Sequence, residues 1–391
     1  MHWTTRLEGG PRRVNHAAVA FDSTIVSFGG YCSGDDFETR RPIDVHILNT
    51  HTNRWSAAAH AAQYDGHCPY QRYGHTAVVY GGRAYLWGGR NDSDGAADEL
   101  HEYNLATNEW RIVGVEGGMI PPARDGHSAC VVGHKMIVFG GFEDDFQRFS
   151  HESFAYDFTT EKWEELRTFG DPPEWRDFHT ATAIGNRMYV FGGRSDVNGQ
   201  FHSNREVYYD RLKYLNLDDL TWYEPVVYGD APSGRRSHSA WCYNGKMYIF
   251  GGYSGVTDEH FNTLHEFNPV TNVWRLVRPH GRGPQARRRQ CTLVVGSRVF
   301  LFGGTCPLPT GGAAAMLPSS PLIVDRSLID LSDLYILDYA PSLRTLARMS
   351  VVDGRLHETH GHLLPSDIRA EIEHHVRANT ITPLTRATLF G

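Results

Sequence analysis

Arginine falls in this chain at spacings that could gather guanidinium groups around an anion. Arg13, Arg72, Arg124, Arg176 and Arg235 each stand three residues before a histidine (His16, His75, His127, His179 and His238), and Arg287 precedes Gln290 in the same way. Further cations adjoin two of these, Arg236 beside Arg235 and Arg288-Arg289 beside Arg287. A planar guanidinium with five donors matches the geometry of a carboxylate or phosphate. Like charges clustered in a chain that is acidic overall repel one another unless an anion compensates them. The same pattern has a plainer reading, in which each recurring arginine clamps a neighbouring repeat. Histidines at one frame position likewise read as packing before they read as metal ligands, and neither a metal nor a cofactor is expected.

The elements that must position these residues repeat. Short apolar strands end in paired glycines at Gly29-Gly30, Gly88-Gly89, Gly140-Gly141, Gly192-Gly193, Gly251-Gly252 and Gly303-Gly304. Each copy runs from Arg-x-x-His through a strand, a turn and the Gly-Gly strand. A variable loop and a third strand follow, and then a Trp opens a fourth. Glycine pairs in a strand weaken it and mark close backbone approach, and repetition at such a period outranks other readings of the chain.

This pattern resembles the kelch repeat. The resemblance implies an all-β fold, a six-bladed kelch β-propeller with four strands per blade around a central channel, followed here by a short helical C-terminal extension. The propeller is expected over residues 1–340. The sixth Gly-Gly pair is followed by a third strand at Leu334–Asp338 but by no Trp, so the N-terminal strand around Trp3 is expected to complete the last blade and pair its open edge. Residues 305–327, rich in Pro, Gly and Ala, read as a disordered loop inside that blade.

Within a repeated frame, the positions that vary carry specificity. The residue after each glycine pair is Tyr31, Arg90, Phe142, Arg194, Tyr253 or Thr305. Acidic residues crowd the loops that follow in blades one to four, where most read as solvated charges. The long fourth-blade loop adds Arg205 and Tyr208.

Net charge is −7, from 38 Lys and Arg against 45 Asp and Glu, which argues against a nucleic-acid surface. No apolar run is long enough to span a membrane, and Met1 to Gly10 lacks the basic-then-apolar order of a secretion signal. The six cysteines show no Cys-x-x-Cys spacing and read as reduced structural thiols. The expectation is a cytoplasmic protein, with the nucleus a second compartment open to it.

After residue 340 the period changes to that of amphipathic helices. Ser342-Leu343-x-x-x-Ala347-x-x-x-Val351 resembles the BC box that docks on elongin C, with Ala347 where the family usually has Cys. Leu364-Pro365-x-x-Ile368-x-x-x-Ile372 resembles a cullin-2 box. Residues 341–378 are therefore expected to bind elongin B/C and cullin-2 with its RING protein, and 379–391 to form a flexible tail ending in Gly391.

Trp-Arg-Asp-Phe-His at 175–179, Gly-Arg-Arg-Ser-His-Ser at 234–239 and Arg-Arg-Arg-Gln-Cys at 287–291 are similar to sequences of the kelch-repeat substrate receptors of cullin-2 ubiquitin ligases. That resemblance implies a non-catalytic adaptor that binds proteins ending in glycine, with a basic or glutamine residue upstream, and directs them to ubiquitination and proteasomal degradation. On this reading Arg194, Arg235, Arg236, Ser239 and Arg205 surround the terminal carboxylate (the C-degron), with Tyr31, Phe142 and Tyr253 as apolar walls. The chain's own Gly391 makes self-association through that end a further expectation. The alternative is a kelch scaffold binding a cytoskeletal or chromatin partner with no ligase role. A sialidase-like hydrolase would carry Ser-x-Asp-x-Gly-x-x-Trp turns, and this chain has none.

Overall fold

The computed structural model describes residues 1–37, 39–58, 66–114, 119–203, 205–308 and 328–384. Six antiparallel four-stranded sheets follow one another around a ring. Blade one runs outward from Ala17–Phe21 through Thr24–Phe28 and Val45–Asn49 to Arg54–Ala57. Blades two to five repeat that order from innermost strands Tyr73–Tyr80, Ser128–Val132, Thr180–Ile184 and Ser239–Tyr243. Blade six takes Cys291–Val295, Arg298–Phe302 and Leu334–Asp338 from late in the chain and His2–Leu7 from its start, with Trp3 opposite Leu337. The edge of blade six is thereby paired by the N-terminus, and its innermost strand packs against that of blade one.

The apolar core is divided into six clusters, each between two adjacent blades. That division explains the once-per-blade tryptophan. Trp55, Trp163, Trp222, Trp274 and Trp3 each lie across a blade seam, 1–6 % exposed, and Trp110 flanks the seam between blades one and two. The glycine pairs belong to the same seams. Gly252 has φ +97°, and a Cβ there would lie 2.9 Å from both the Arg236 carbonyl and His238 Cβ. Its N–H donates to the carbonyl of Arg287 in the next blade at 2.8 Å, and a Cβ on the neighbouring Gly251 would lie 2.8 Å from that same carbonyl, so a side chain there would pry two blades apart.

The extension forms α1 (Leu343–Asp353), α2 (Leu356–His360) and α3 (Ser366–Val376). The amphipathic pattern allows helices that await a partner or that cap the underside of the ring; α1 and α3 both pack on the ring-closing strand His2–Leu7, and Glu371 of α3 accepts from Arg344 and, at 2.9 Å, from Arg348 of α1.

The tail also departs from the sequence reading, which has it flexible from residue 379. In blades four and five the linker from the preceding blade adds a short parallel strand to the outside, Phe169–Gly170 and Tyr228–Gly229. On blade one that place is taken by the C-terminal segment. Thr382–Pro383 pairs in parallel with Ser56 and Ala57, and Asn379 is 6 % exposed, wedged between linker and blade. Its N–H donates to the Glu8 carbonyl at 2.7 Å, and its Oδ1 accepts from the Trp55 N–H at 3.3 Å. Arg54 donates to the carbonyls of Arg377 and Ala378. The anchoring has a physical cause: an outer strand with free backbone groups is completed by the nearest extended segment.

Gly391, and with it any self-association through the terminus, lies outside the described residues. Seven residues follow Leu384, a reach of about 25 Å. The loop expected at 305–327 starts in a two-stranded ribbon, Thr305–Pro307 against Leu328–Asp330, and residues 309–327 are not described.

Candidate ligand site at the channel mouth

The third residue of each Arg-x-x-His copy encircles the channel. Asn15, Gly74, Gly126, Phe178, Ser237 and Arg289 all have positive φ, between 51° and 71°. Each N–H donates to the carbonyl of its counterpart in the preceding blade, at 2.7–3.2 Å, and Asn15 to Arg289 completes a closed ring of six bonds. Two blades use glycine here. Phenylalanine and arginine in the left-handed region are strained by on the order of 1 kcal/mol or more, which the ring tolerates because every blade holds its neighbour. Below the ring the histidines and Gln290 line a small cavity of about 120 Å³.

The recurring arginines are clamps. Arg72, Arg124, Arg176, Arg235 and Arg287 are 0–2 % exposed. In each, Nη1 donates to the carbonyl of the first glycine of its own blade's pair, at 2.9–3.4 Å. Nε donates to a carbonyl two residues upstream.

Two expected ligand residues therefore leave the site. Arg235 spends its donors on Gly251, Ser233 and Thr263 beneath the Phe261 ring, and burial pulls its pKa down to about 10. Ser239, 5 % exposed, donates to the Gln290 carbonyl at 3.0 Å. It is the blade-five member of a set of inter-blade links in which Thr76, Ser128 and Thr180 meet His127, His179 and His238 at 2.7–2.8 Å. Arg235 is thus spent inside its own blade and Ser239 on a seam, and neither is left for a ligand.

The mouth is built from the second residue of each motif and the residue after each glycine pair, which the fold sets opposite one another. The pairs are Val14 with Tyr31, Tyr73 with Arg90, Asp125 with Phe142, Asp177 with Arg194, Arg236 with Tyr253 and Arg288 with Thr305. Blade four neutralises itself. Arg194 Nε donates to Asp177 Oδ1 at 3.0 Å, a second bond joins Nη2 to Oδ2, and Nη1 reaches Glu206 at 3.2 Å. Burial opposes the charge on Arg194, but Asp177 and then Glu206 outweigh it and raise the pKa above the ordinary arginine value. Arg194 stands at the mouth as expected, yet it is a poor first choice for a ligand carboxylate.

Blades five and six hold the less compensated charge. Arg236 meets Glu206 only at 3.7 Å. Tyr253 lies between two cations, with Arg288 4.4 Å and Arg236 5.6 Å from its ring centre, and its hydroxyl donates to Asp258. Arg289 has no hydrogen bond or ion pair from its side chain among the described residues. Burial, and then the fields of Arg288 and Arg236, pull its pKa down to about 10. An arginine held in such a field favours any anion that enters.

Sequence reasoning noted the Arg287–Arg289 run but did not place Arg289 in the site. The available signal was its frame position, glycine in blades two and three.

The other walls are aromatic. Tyr31 stacks on Phe37 at 5.0 Å and meets Tyr73 edge-on at 5.9 Å, and Phe142 packs on Phe149. Arg205 is exposed in the fourth-blade loop, outside the ring of mouth pairs.

On the extension, Leu343 is 85 % exposed and Ala347 is exposed, one outward stripe of α1 that ends at half-buried Val351. Ser342 caps the helix by accepting from the Thr345 N–H. Leu364 and Ile368 are half-buried and Pro365 is exposed. Ile372 differs from expectation. At 2 % exposure it packs inside, within the extension, where it lines a cavity with His357, Gly361 and Leu364, and it is not open to a partner.

Comparison with known proteins agrees with the fold and with the extent of the chain. The model of the KLHDC2/KLHL20/DRC7 Kelch-repeats domain matches residues 15–118 and 74–304. Kelch domain-containing protein 3 of Bos taurus is 46 % identical over 379 residues, 95 % of each chain. That of Homo sapiens is 46 % identical over 376 residues, again 95 % of each. Host cell factor 2 of Homo sapiens is 32 % identical over 260 residues, 63 % of this chain and 32 % of that one. With glycine pairs and seam tryptophans recurring in all six blades, clamp arginines in five of them, and a match that covers 95 % of the chain, this chain belongs to the kelch-repeat family.

Proposed function

We propose that this chain is the substrate-recognition subunit of a cullin-2/elongin B/C ubiquitin ligase, and that its channel mouth binds the free C-terminal carboxylate of proteins ending in glycine. The carrying observation is the pair Arg236 and Arg288 on either side of Tyr253, with Arg289 in their field on the channel ring and without an acid partner among the described residues. A carboxylate entering there gains charge-assisted hydrogen bonds in a largely desolvated setting, and a ligand glycine lets the chain end approach closely without a Cβ. Arg194 and Arg205 are retained as rim contacts, and Tyr31, Phe142 and Tyr253 as walls. The ligase role is supported by the outward stripe Leu343-Ala347-Val351, an exposed apolar row of the kind a helix-docking partner covers. Leu364, Pro365 and Ile368 form the surface proposed for cullin-2. The propeller is a binding module in this reading, and the ubiquitin chemistry belongs to its partners.

The test is a pair of glycine-ended peptides, one with a free acid and one amidated. The acid is expected to bind at least tenfold tighter, and equal binding overturns the proposal. For the ligase, Leu343→Ala is expected to abolish elongin C capture with no change in melting temperature. Failure of the native chain to capture elongin C would favour the scaffold reading.

A further inference from the structure

We infer that Asp125 is a specificity-determining residue, which receives a cationic side chain of the bound polypeptide while the arginines of blades five and six hold its terminal carboxylate. The inference rests on the terminal-carboxylate reading above and names the residue that reads the ligand upstream of its end.

The argument begins with a comparison inside the frame. Asp125 and Asp177 occupy the same motif position in neighbouring blades. Asp177 finds Arg194 directly across from it. The residue across from Asp125 is Phe142, which offers it no charge. Asp125 is 5 % exposed, and among the described residues its carboxylate makes no hydrogen bond and no ion pair. The other acids of this wall are engaged. Asp92 accepts from the Tyr73 hydroxyl at 2.7 Å, and Asp144 accepts from the Ala96 N–H at 2.9 Å and meets Arg90 at 3.3 Å.

Gly74 of the channel ring lies alongside. A Cβ there would come within 3.2 Å of Asp125 Oδ2, so the frame glycine keeps the carboxylate from being covered. In a ring of six, blade three faces blade six. The uncompensated acid thus stands across the channel from the uncompensated Arg289.

A nearly buried carboxylate without a partner is costly as an anion. Burial first, and then Asp177, with a smaller contribution from Asp144, raise its pKa to about 7, against the pull of Arg90 and the smaller one of Arg194. The free site is therefore partly protonated near neutrality. A lysine or arginine side chain brought in by the ligand supplies the missing counter-charge and lets the proton leave to solvent. In the ligand-free protein the acid weakens the fold, which is the pattern of a residue kept for binding.

The experiment uses the full chain and glycine-ended peptides with a free carboxylate, in which lysine, norleucine or glutamate is scanned through the upstream positions. At one position the native protein is expected to bind the lysine peptide at least tenfold tighter than the norleucine peptide. Asp125→Asn should bring that ratio to about one, and Asp125→Lys should transfer the preference to glutamate. Asp125→Asn should also melt no lower than the native chain at pH 8. A lysine preference that survives Asp125→Asn, a uniform loss for all peptides, or a variant that melts lower would each overturn the assignment.

The two readings separate cleanly. If amidation changes nothing while the lysine preference depends on Asp125, the arginine-wall reading falls and this one stands. If amidation abolishes binding while the preference is indifferent to Asp125, the reverse holds.

Discussion

Blades four and six carry the same frame and opposite electrostatics. In blade four, Arg194 and Asp177 satisfy each other across the mouth. In blade six, Arg289 occupies a ring position that is glycine in two other blades, and its side chain makes no hydrogen bond or ion pair among the described residues. The clamp arginines of the two blades, Arg176 and Arg287, nevertheless bond equivalent carbonyls, those of Gly192 and Gly303, in the same way. An arginine in this protein is therefore structural or available according to what stands across from it. Neither its residue type nor its nearness to the motif decides the matter.

The largest test of the shared frame is acid. His16, His75 and His238 are buried with pKa values pulled by burial to about 3, and His127 and His179 are lowered well below the ordinary value. A folded-state pKa below the unfolded value of about 6.5 contributes stability that is complete above pH 6.5 and lost as pH falls toward 3. The loss is about 1.4 kcal/mol per pH unit for each histidine. Urea melts at pH 7.5, 6 and 5 should show steep destabilisation. His238→Gln, copying Gln290 of blade six, should flatten the slope, and an unaltered slope would show that the buried ring does not control acid stability.

Next is the clamp itself. Arg287→Ala strands Asp333, its partner at 2.6 and 2.7 Å, and should lower stability by about 3–5 kcal/mol; a loss below about 1 kcal/mol would mean the clamps are dispensable. Arg289→Ala should do the opposite. Stability is expected to hold or rise, because a charge crowded by like charges is removed, while free-acid peptide binding weakens by about 2 kcal/mol. If that variant binds as tightly as the native chain, the contrast between the two blades has no functional content.

The smallest effect belongs to blade one. Asn379→Ala removes the side-chain acceptor of the Trp55 N–H and should cost about 1 kcal/mol, with faster hydrogen exchange confined to blade one and the tail. Exchange that is unchanged there would show that the C-terminal segment is not part of the blade.

Much of the fold was legible because the seams repeat. Gly29-Gly30 through Gly303-Gly304 and the tryptophans appear once per blade, each for one steric reason, and the missing sixth Trp pointed to Trp3. The candidate site was harder to read. Arg235 and Ser239 sit within a few residues of Arg236 in sequence but are spent, one inside its own blade and one on a seam, while Arg289 and Asp125 gain their interest from neighbours far along the chain. Ile372 was misplaced for a related reason, since a helical stripe of apolar residues does not say which face its neighbours will cover. The docking of Asn379 had no local signal, because any extended segment can complete an exposed edge.

By itself the sequence determined the number of blades, the closure and the identity of the frame, since those follow from short-range sterics repeated six times. The tertiary structure decided which charges remain free. Whether a guanidinium or a carboxylate is spent depends on the group set within about 4 Å of it, and around a ring that group comes from another turn of the chain.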